Sequence, residues 1–351
     1  MSTIPTVKAV TFGGVGDVRV TEVGAPGLAE PGDALVRVTL SAVCGSDLHI
    51  YHGHSPVDEG ATLGHEFVGV VEEAGPGVRT FKRGDRVVSA FYAACGHCRL
   101  CRGGWWSQCE SRAIFGHGRY FGGLGGGQAE RCLVPNADLN LAAIPEGVED
   151  EQAVFVGDIL STGYFAAERG MIRPGDTVAV IGAGPVGLMA VMCATLFGPA
   201  RVLVVDVVDS RLELARDLGA IPLDPRDANP EMEVQRRTGG AGADVVLECV
   251  GHMEAIETAI KVCRGGGTVS SVGVPSEVNG DFPYFDVWNR ALTFRSGLAN
   301  VHAYMRTLLD LIDAGRLHPE RVISHRLRLD EAEEAYRLFD RRVATKVVLT
   351  P

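Results

Sequence analysis

Four closely spaced cysteines constrain this chain more than any other feature. Cys95, Cys98, Cys101 and Cys109 follow the pattern C-x2-C-x2-C-x7-C in a short segment rich in glycine and arginine. Four thiolates can fill all the positions of a tetrahedral zinc ion, which leaves none open for a reacting molecule. The pattern therefore predicts a structural zinc lobe at about residues 92–112. Buried or disulfide-paired cysteines and an iron–sulfur cluster are the alternatives.

A second, mixed set of metal-type ligands lies ahead of the lobe. Cys44 begins the sequence Cys-Gly-Ser-Asp-Leu-His, and His65 and Glu66 follow within Gly-His-Glu-Phe. One thiolate and one imidazole in turn-like sequence are typical of a catalytic zinc site, which keeps a position open for water or substrate. Asp158 is a charged residue within an apolar stretch, so we expect a cation beside it. A helix-capping role would explain Asp158 equally well.

Three residues that follow Cys44 predict a path for a proton. A zinc ion lowers the pKa of a bound hydroxyl group towards neutrality, and the proton must then leave a dry site. The hydroxyl of Ser46 and the imidazole of His49, which titrates near neutral pH by default, can pass it outward. Asp47 is expected to orient a metal-bound imidazole. Alternatively, Ser46 caps a helix that begins near Asp47.

A glycine motif in the second half of the chain predicts a dinucleotide site. A short apolar strand leads into G-x-G-x-x-G and then into a helical pattern. The glycines would permit a tight turn, the close approach of a pyrophosphate and close helix packing. We expect the diphosphate at the helix N-terminus, where free N–H groups favour anions. The motif residues that we assign to cofactor binding are Gly182, Gly184, Pro185, Val186 and Gly187.

The end of the following strand bears on the choice of cofactor. Asp206 lies there, and a carboxylate at this position accepts hydrogen bonds from ribose hydroxyls and repels a 2′-phosphate. The sequence therefore predicts NAD rather than NADP. Arg211 lies little more than one helical turn beyond and would weaken this preference, since an arginine can pair with a 2′-phosphate. An ordinary α/β turn without a nucleotide is the alternative.

The periodicity of the apolar residues predicts the division into domains. Up to residue 154, short apolar runs alternate with Gly and Pro, which indicates a β-rich domain. Over residues 155–296, strands alternate with helices, which predicts an α/β fold with a doubly wound parallel sheet. Residues 297–351 are expected to return to the first domain. The glycine-rich stretch 121–128 is interpreted as a mobile surface loop or strand turn, since no helix obviously follows it.

The composition limits the class of partner. The chain has 351 residues, of which 46% are hydrophobic, and a net charge of −11 without a basic stripe, which disfavours nucleic acid and anionic membranes. Residues 1–10 lack the pattern of a signal peptide, and no apolar run reaches the roughly 18 residues of a membrane span. Nine cysteines in such a chain indicate metal binding or catalysis rather than disulfides. We expect a cytoplasmic protein that acts on a small molecule.

Taken in order, these motifs resemble the zinc-dependent medium-chain alcohol dehydrogenases, and the resemblance covers nearly the whole chain. The stretches 126–130 and 158–164 are most similar to bacterial secondary-alcohol, threonine and formaldehyde dehydrogenase-like members. The resemblance implies a GroES-like catalytic domain, formed by residues 1–154 and 297–351, and a Rossmann dinucleotide-binding domain over residues 155–296.

The resemblance also implies the ligands of the catalytic metal. Cys44, His65 and Asp158 match zinc ligands, and Glu66 matches an acid that lies behind the ion and can serve as an alternative ligand. Together with the four-cysteine lobe, this implies two zinc ions per chain, one catalytic and one structural. Ser46 and His49 match a proton relay.

Further residues match positions that contact the cofactor or the substrate. The resemblance implies that Thr162 lies beside the nicotinamide and that the carbonyl of Val272 holds its carboxamide. Arg211 would lie near the adenosine ribose, and Lys346 would reach the cofactor phosphates. Phe91 would form an aromatic wall of the substrate pocket.

The resemblance implies reversible transfer of a hydride from an alcohol to NAD, which gives an aldehyde or ketone. A polyol, threonine or formaldehyde dehydrogenase of the same family is the alternative. The resemblance also implies a homo-oligomer, with a tetramer favoured over a dimer.

Two other functions are less consistent with the metal ligands and the relay residues. One is a zinc-free quinone or enone reductase of this fold, and the other is a non-enzymatic nucleotide-binding protein.

Overall fold

The chain divides into two compact units. The computed structural model describes residues 5–275 and 280–351. The first unit comprises the residues up to Asp158 together with Asn300–Pro351, and the second comprises Ile159–Ala299. Both boundaries fall a few residues after the predicted ones. Asp158, which was predicted to lie in the second domain, therefore belongs to the first unit. The first helix of the second unit begins at the next residue, Ile159.

The described residues form the following strands and helices. The strands are β1 (Thr6–Gly14), β2 (Asp17–Gly24), β3 (Ala34–Val43), β4 (Glu66–Ala74), β5 (Arg86–Ser89), β6 (Tyr92–Ala93), β7 (Ala113–Ile114), β8 (Arg131–Val134), β9 (Leu141–Ala143), β10 (Thr177–Ile181), β11 (Arg201–Val205), β12 (Ile221–Leu223), β13 (Ala243–Glu248), β14 (Cys263–Ser271), β15 (Thr293–Ser296), β16 (His325–Arg328) and β17 (Val347–Thr350). The α-helices are α1 (Gly45–Tyr51), α2 (Arg99–Arg102), α3 (Ala137–Asn140), α4 (Asp150–Ala153), α5 (Ile159–Gly170), α6 (Pro185–Thr195), α7 (Asp209–Asp217), α8 (Pro230–Arg237), α9 (Met253–Val262), α10 (Tyr284–Asn289), α11 (Met305–Asp313) and α12 (Ala332–Asp340).

The first unit is β-rich, as predicted. Its main sheet has the strand order β16-β17-β3-β4-β5-β9, and β8 also pairs with β3. β17 runs antiparallel to β3 with Val347 opposite Val43, and β3 runs antiparallel to β4 with Ala42 opposite Glu66. The end of β3 therefore lies between the start of β17 and the start of β4. These three strand ends bring together residues from distant parts of the chain.

Helix α12 closes one side of this sheet. Its buried residues Ala332, Ala335, Tyr336 and Phe339 recur at helical spacing, which gives a single apolar face. They pack in one core with residues of β1, β2, β3 and β17. Burial of one large apolar side chain stabilises a fold by roughly 1.5–3 kcal/mol, so this helix holds the returning segment firmly to the first stretch of the chain.

The second unit is a doubly wound α/β fold, as predicted. Its six strands have the order β12-β11-β10-β13-β14-β15, and every neighbouring pair is parallel. Numbered within the unit, this is the order 3-2-1-4-5-6 of a dinucleotide-binding sheet. All five residues of β10 are buried, as expected for a central strand that is covered on both faces. Within the described residues, no helix combines the length and the apolar character needed to span a membrane.

Candidate metal and cofactor sites

Local folding at the end of β3 positions the residues around Cys44. β3 ends at Val43 and α1 begins at Gly45, so Cys44 is the N-cap residue of the helix. The carboxylate of Asp47 accepts a hydrogen bond from the Cys44 N–H at 2.9 Å, as a side chain in the first turn of a helix commonly does. The alternative in which Ser46 caps this helix is wrong, because Ser46 lies inside the helix.

Four buried side chains from distant parts of the chain meet beside this helix start: Cys44, His65, Glu66 and Asp158. Their ligand atoms all lie within 4.8 Å of one another. Oδ2 of Asp158 is 3.5 Å from the sulfur of Cys44 and 3.2 Å from Nε2 of His65. Ligands around a tetrahedral zinc ion are separated from one another by about 3.3–3.8 Å. The donor set therefore fits a zinc ion.

The two ring nitrogens of His65 face different partners. Nδ1 lies 3.2 Å from Oδ1 of the fully buried Asp47, whereas Nε2 lies 3.1 Å from the hydroxyl of Ser46. Burial lowers the pKa of His65, but the carboxylate of Asp47 and the sulfur of Cys44 outweigh burial and raise this pKa well above its usual value. An imidazole that a carboxylate holds through one nitrogen presents the other nitrogen to a metal.

Glu66 is paired with a lysine to which the resemblance gave another role. Lys346 immediately precedes β17, and its Nζ lies 2.6 Å from Oε2 of Glu66, with both side chains fully buried. The expectation that Lys346 reaches the cofactor phosphates stays a prediction. In the structure, the partner of this buried ammonium group is the carboxylate of Glu66. Burial raises the pKa of Glu66 to about 7, although Lys346 opposes this shift.

Aromatic rings pack around His65. The ring centroid of Phe91 is 6.2 Å from that of His65, and the ring centroid of His117 is 5.1 Å from it. Nδ1 of His117 lies 2.9 Å from the carbonyl oxygen of Phe115, and burial lowers the pKa of His117. Sequence reasoning missed His117, because a single histidine between two glycines has no ligand spacing that distinguishes it.

The two residues of the predicted relay lie on α1. Ser46 and His49 are three residues apart, which places them on the same face of the helix, and both are half-buried. Ser46 contacts His65 directly, as described above. Ser46 is therefore the relay residue next to the metal-ligand cluster, and His49 lies one helical turn further along α1.

Part of the glycine-rich stretch lies in the interior. The interpretation of residues 121–128 as a mobile surface loop is wrong for Gly126, Gly127 and Gln128, which are buried. A Cβ atom on Gly127 would lie 2.1 Å from the ring of Phe67, so the glycine permits a close approach to β4. Gln128 donates a hydrogen bond from Nε2 to Oδ2 of Asp47 at 3.1 Å. Sequence reasoning missed this residue.

The four cysteines of the lobe surround a common point. Their sulfur atoms lie within 4.8 Å of one another, and those of Cys95 and Cys101 are 4.0 Å apart, whereas a disulfide bond measures about 2.05 Å. All nine cysteines are free, so the disulfide alternative is wrong. The N–H groups of Cys98 and Cys101 each point at the sulfur three residues earlier, at 3.4 Å. The cluster is compatible with a structural zinc ion.

The segment that returns to the first unit is anchored to this lobe. The side chain of Asn300 accepts a hydrogen bond from the N–H of Ser107 at 3.2 Å and donates one to the carbonyl of Gly104 at 2.6 Å. Nε2 of His302 lies 2.8 Å from Oδ1 of the buried Asn140. The lobe therefore supports the start of the C-terminal segment as well as its own loop.

In the second unit, the glycine motif joins β10 to α6. β10 ends at Ile181 and α6 begins at Pro185, with Gly184 as its N-cap. A Cβ atom on Gly187 would lie 1.8 Å from the carbonyl oxygen of Gly182. Only glycine permits this close packing of helix on strand, which brings a helix N-terminus to the strand end where a diphosphate would bind.

Asp206 follows β11 and contacts the glycine motif. Its Oδ2 accepts a hydrogen bond from the N–H of Ala183 at 2.6 Å, and its Oδ1 accepts hydrogen bonds from the next two N–H groups at 2.7 and 2.9 Å. Arg211 lies in α7, with Nη1 3.9 Å from the position of a Cβ atom on Gly184. Both residues therefore lie beside the glycine turn.

The remaining predicted cofactor residues are spread over three elements of this unit. Val186 lies in the first turn of α6, Thr162 lies in α5, and Val272 follows β14. The N–H of Val272 donates to the carbonyl of Glu248 at 2.9 Å. The buried Glu248 carboxylate accepts hydrogen bonds from two N–H groups of the turn after β13 and from the hydroxyl of Ser271. Sequence reasoning missed this carboxylate, which ties two adjacent strand ends together.

Comparison with known proteins assigns the family. The family profile "Alcohol dehydrogenase GroES-like domain" matches residues 30–146, and the profile "Zinc-binding dehydrogenase" matches residues 185–314. Zinc-type alcohol dehydrogenase B of Aspergillus flavus is 39% identical, over 99% of this chain and 82% of that protein. The chain belongs to the zinc-dependent medium-chain alcohol dehydrogenases.

Solved structures of other dehydrogenases share the whole fold. Alcohol dehydrogenase TADH from Thermus sp. ATN1 is 48% identical with a TM-score of 0.95, over 98% of this chain and 99% of that chain. A zinc-binding dehydrogenase from Sinorhizobium meliloti, bound to NADP, is 30% identical with a TM-score of 0.88, over 99% and 100% of the two chains. This zinc-dependent alcohol dehydrogenase therefore combines a GroES-like domain with a Rossmann domain, as predicted, and is an oxidoreductase that acts on alcohols with a nicotinamide cofactor.

Proposed function

We propose that Cys44, His65 and Asp158 bind the catalytic zinc ion of this alcohol dehydrogenase and that Glu66 is a fourth, exchangeable ligand. The observation that carries the proposal is the cluster of four buried ligand atoms within 4.8 Å of one another. One thiolate, one imidazole and a carboxylate leave a tetrahedral position for an alcohol. The four-cysteine lobe binds a second, structural zinc ion, which gives two ions per chain.

The residues around the cluster supply the proton transfer. When bound, zinc lowers the pKa of a hydroxyl group and the nicotinamide accepts a hydride. Ser46, whose hydroxyl lies 3.1 Å from Nε2 of His65, accepts the proton of the substrate hydroxyl and passes it to His49, which exchanges it with water. Asp47 holds the imidazole of His65 in place. Phe91 forms an apolar wall that excludes water from the reacting atoms.

Binding of NAD rather than NADP is proposed for the second unit. The carboxylate of Asp206 is fixed beside the glycine motif by three N–H groups, and a 2′-phosphate there would meet its negative charge. Thr162 and Val272 contact the nicotinamide end, the glycine motif with Pro185 and Val186 binds the diphosphate, and Arg211 lies near the ribose.

An exposed aromatic patch supports the proposal that the enzyme is a homo-oligomer, with a tetramer favoured over a dimer. Tyr284, Phe285 and Trp288 of α10 are 69%, 67% and 66% exposed, and monomeric proteins seldom expose contiguous apolar patches. β15 also forms an edge of the parallel sheet, whose outer N–H and C=O groups can pair with another strand. Light scattering of the purified enzyme tests this proposal.

A cytoplasmic location is proposed because all nine cysteines are free. Reducing compartments keep thiols in this state, whereas secreted proteins commonly form disulfides. Fractionation of cells that produce the full chain tests the location.

The zinc content and a substrate panel test the proposed function. Elemental analysis is expected to give two zinc ions per chain, and Cys44→Ala is expected to retain one ion and NADH binding while turnover disappears. Primary and secondary alcohols, polyols, threonine and formaldehyde are then tested with NAD by the absorbance of NADH. Full activity of Cys44→Ala would contradict the assignment of the catalytic site.

A further inference from the structure

The glycine-rich segment holds Gln128 against the metal-ligand cluster from two sides. The N–H of Gln128 donates to the carbonyl of Leu63 at 3.0 Å, and the carbonyl of Gln128 accepts from the N–H of Val10 at 2.8 Å. A Cβ atom on Gly64 would lie 2.3 Å from Cγ of Gln128. The side chain therefore occupies space directly beside the residue that precedes His65.

All the hydrogen-bonding groups of the Gln128 amide are engaged. Nε2 donates to Oδ2 of Asp47 at 3.1 Å and to the carbonyl of Ala42 at 3.2 Å, and Oε1 accepts from the hydroxyl of Tyr336 at 2.9 Å. Gln128 and Tyr336 are fully buried. The two acceptors and the one donor fix which end of the amide carries the oxygen. The NH2 group of the amide, and not its oxygen, therefore faces the carboxylate of Asp47.

This arrangement determines the orientation of the Asp47 carboxylate. Oδ2 accepts hydrogen bonds from the N–H of Cys44 and from Gln128, and Oδ1 lies 3.2 Å from Nδ1 of His65. The two hydrogen bonds to Oδ2 therefore leave Oδ1 as the carboxylate oxygen that faces the His65 ring.

We propose that Gln128 and Tyr336 are positioning residues for the catalytic zinc ion. They act through Asp47, which holds His65 so that Nε2 is presented to the ion. The inference rests on the proposed function, because it requires zinc in the mixed cluster. It also gives the C-terminal segment a part in the site, since Tyr336 belongs to α12.

The size of the effect follows from the distance to the metal. Loss of a direct hydrogen-bond partner of a metal ligand typically weakens metal binding about 10–100-fold. Gln128 and Tyr336 are one and two steps further out, so we expect about a tenfold weakening for Gln128→Met and about a threefold weakening for Tyr336→Phe. The double variant should be no weaker than Gln128→Met within about twofold, because both changes interrupt the same chain of hydrogen bonds.

The experiment measures zinc retention in the full chain. Zinc-loaded wild type and variants are titrated with a chelator, the remaining ions per chain are counted, and cobalt substitution identifies which site has emptied by its visible spectrum. Tyr92→Phe is the control for the mixed cluster alone, because Tyr92 is another fully buried tyrosine of the first unit and lies at the start of the lobe. We expect it to lower thermal stability without changing retention in the mixed cluster.

Each outcome decides the inference. Weaker retention in the mixed cluster of both variants, with an unchanged lobe and an unchanged Tyr92→Phe control, supports it. Two ions in the wild type with wild-type retention in both variants overturn it and leave the proposed function standing. A wild type whose mixed cluster binds no ion, with zinc in the lobe alone, overturns the proposed function together with this inference. If Gln128→Met does not fold, Tyr336→Phe, which deletes one hydroxyl, decides in the same way.

Discussion

Lys346 and Glu66 form an ion pair with 2.6 Å between Nζ and Oε2, and neither side chain has exposed surface. Burial and Glu66 act in opposite directions on the pKa of Lys346: burial lowers it, and the neighbouring carboxylate and the sulfur of Cys44 raise it overall. The ammonium group is therefore held charged in the interior. Its position just before β17 makes the charge balance of the metal-ligand cluster depend on the returning segment.

Removal of this ammonium is predicted to destabilise the first unit. Lys346→Met leaves the Glu66 carboxylate buried without its partner, which costs about 3–5 kcal/mol. Thermal and urea unfolding measure the loss. In the double variant Glu66→Gln/Lys346→Met, most of the stability should return, because no uncompensated charge remains. A single variant as stable as the wild type would contradict the pairing.

The choice of cofactor should shift when Asp206 is removed. Asp206→Gly deletes the carboxylate that would repel a 2′-phosphate, and Arg211 remains beside the glycine motif to pair with one. We expect the ratio of kcat/KM for NAD to that for NADP to fall at least tenfold. Asp217→Gly, a change in α7 further along the chain, serves as the control for general charge effects. An unchanged ratio in Asp206→Gly would show that this carboxylate does not select the cofactor.

Loss of the lobe is predicted to affect stability more than chemistry. Cys98→Ser should release one zinc ion and lower Tm by several degrees, since each kcal/mol corresponds to about 2–4 °C in a unit of 150–250 residues. The anchoring of Asn300 to Ser107 makes the returning segment sensitive to this change. Cys132→Ser, a buried cysteine outside both clusters, should keep two ions. Wild-type Tm and zinc content in Cys98→Ser would contradict a structural ion.

Zinc uptake by the metal-free enzyme should depend on pH. The pKa of Cys44 is raised, chiefly by burial and by nearby carboxylates, and the pKa of His65 is raised by Asp47 and Cys44 against the effect of burial. Both groups therefore carry protons near neutral pH and must lose them to bind zinc. Affinity is expected to fall as the pH falls, with proton release on binding. Titration calorimetry in two buffers of different ionisation enthalpy measures this release, and a release of zero would refute the expectation.

The strongly periodic elements could be predicted from the sequence. The pattern predicts a strand over 176–181 and a helix over 185–197, and β10 and α6 cover Thr177–Ile181 and Pro185–Thr195. β2 has no such pattern, because its residues alternate poorly between buried and exposed positions. Helix α8 could not be predicted from apolar periodicity either, since six of its eight residues are polar or proline and only Val234 is buried.

The metal-ligand cluster could be predicted only in part. Cys44 and His65 lie in motifs whose composition suggests a metal, but their partners Lys346, Gln128 and Tyr336 come from segments without any local ligand spacing. The register of β17 against β3 brings Lys346 to Cys44, and Gly127 lets Gln128 enter the interior. Neither relationship is encoded within a short window of sequence, because each depends on contacts between distant segments.

The first unit is interrupted in sequence by the whole of the second. β3, near the start of the chain, gains its neighbour β17 only after residues 159–299 have been made. During synthesis, the end of β3 therefore lacks its neighbour β17, and the carboxylate of Glu66 lacks its counter-ion, until the last residues have been made. Unpaired strand edges of this kind favour misassociation. Stable metal loading of the mixed cluster would then be a late event in biosynthesis, after the intervening unit has emerged.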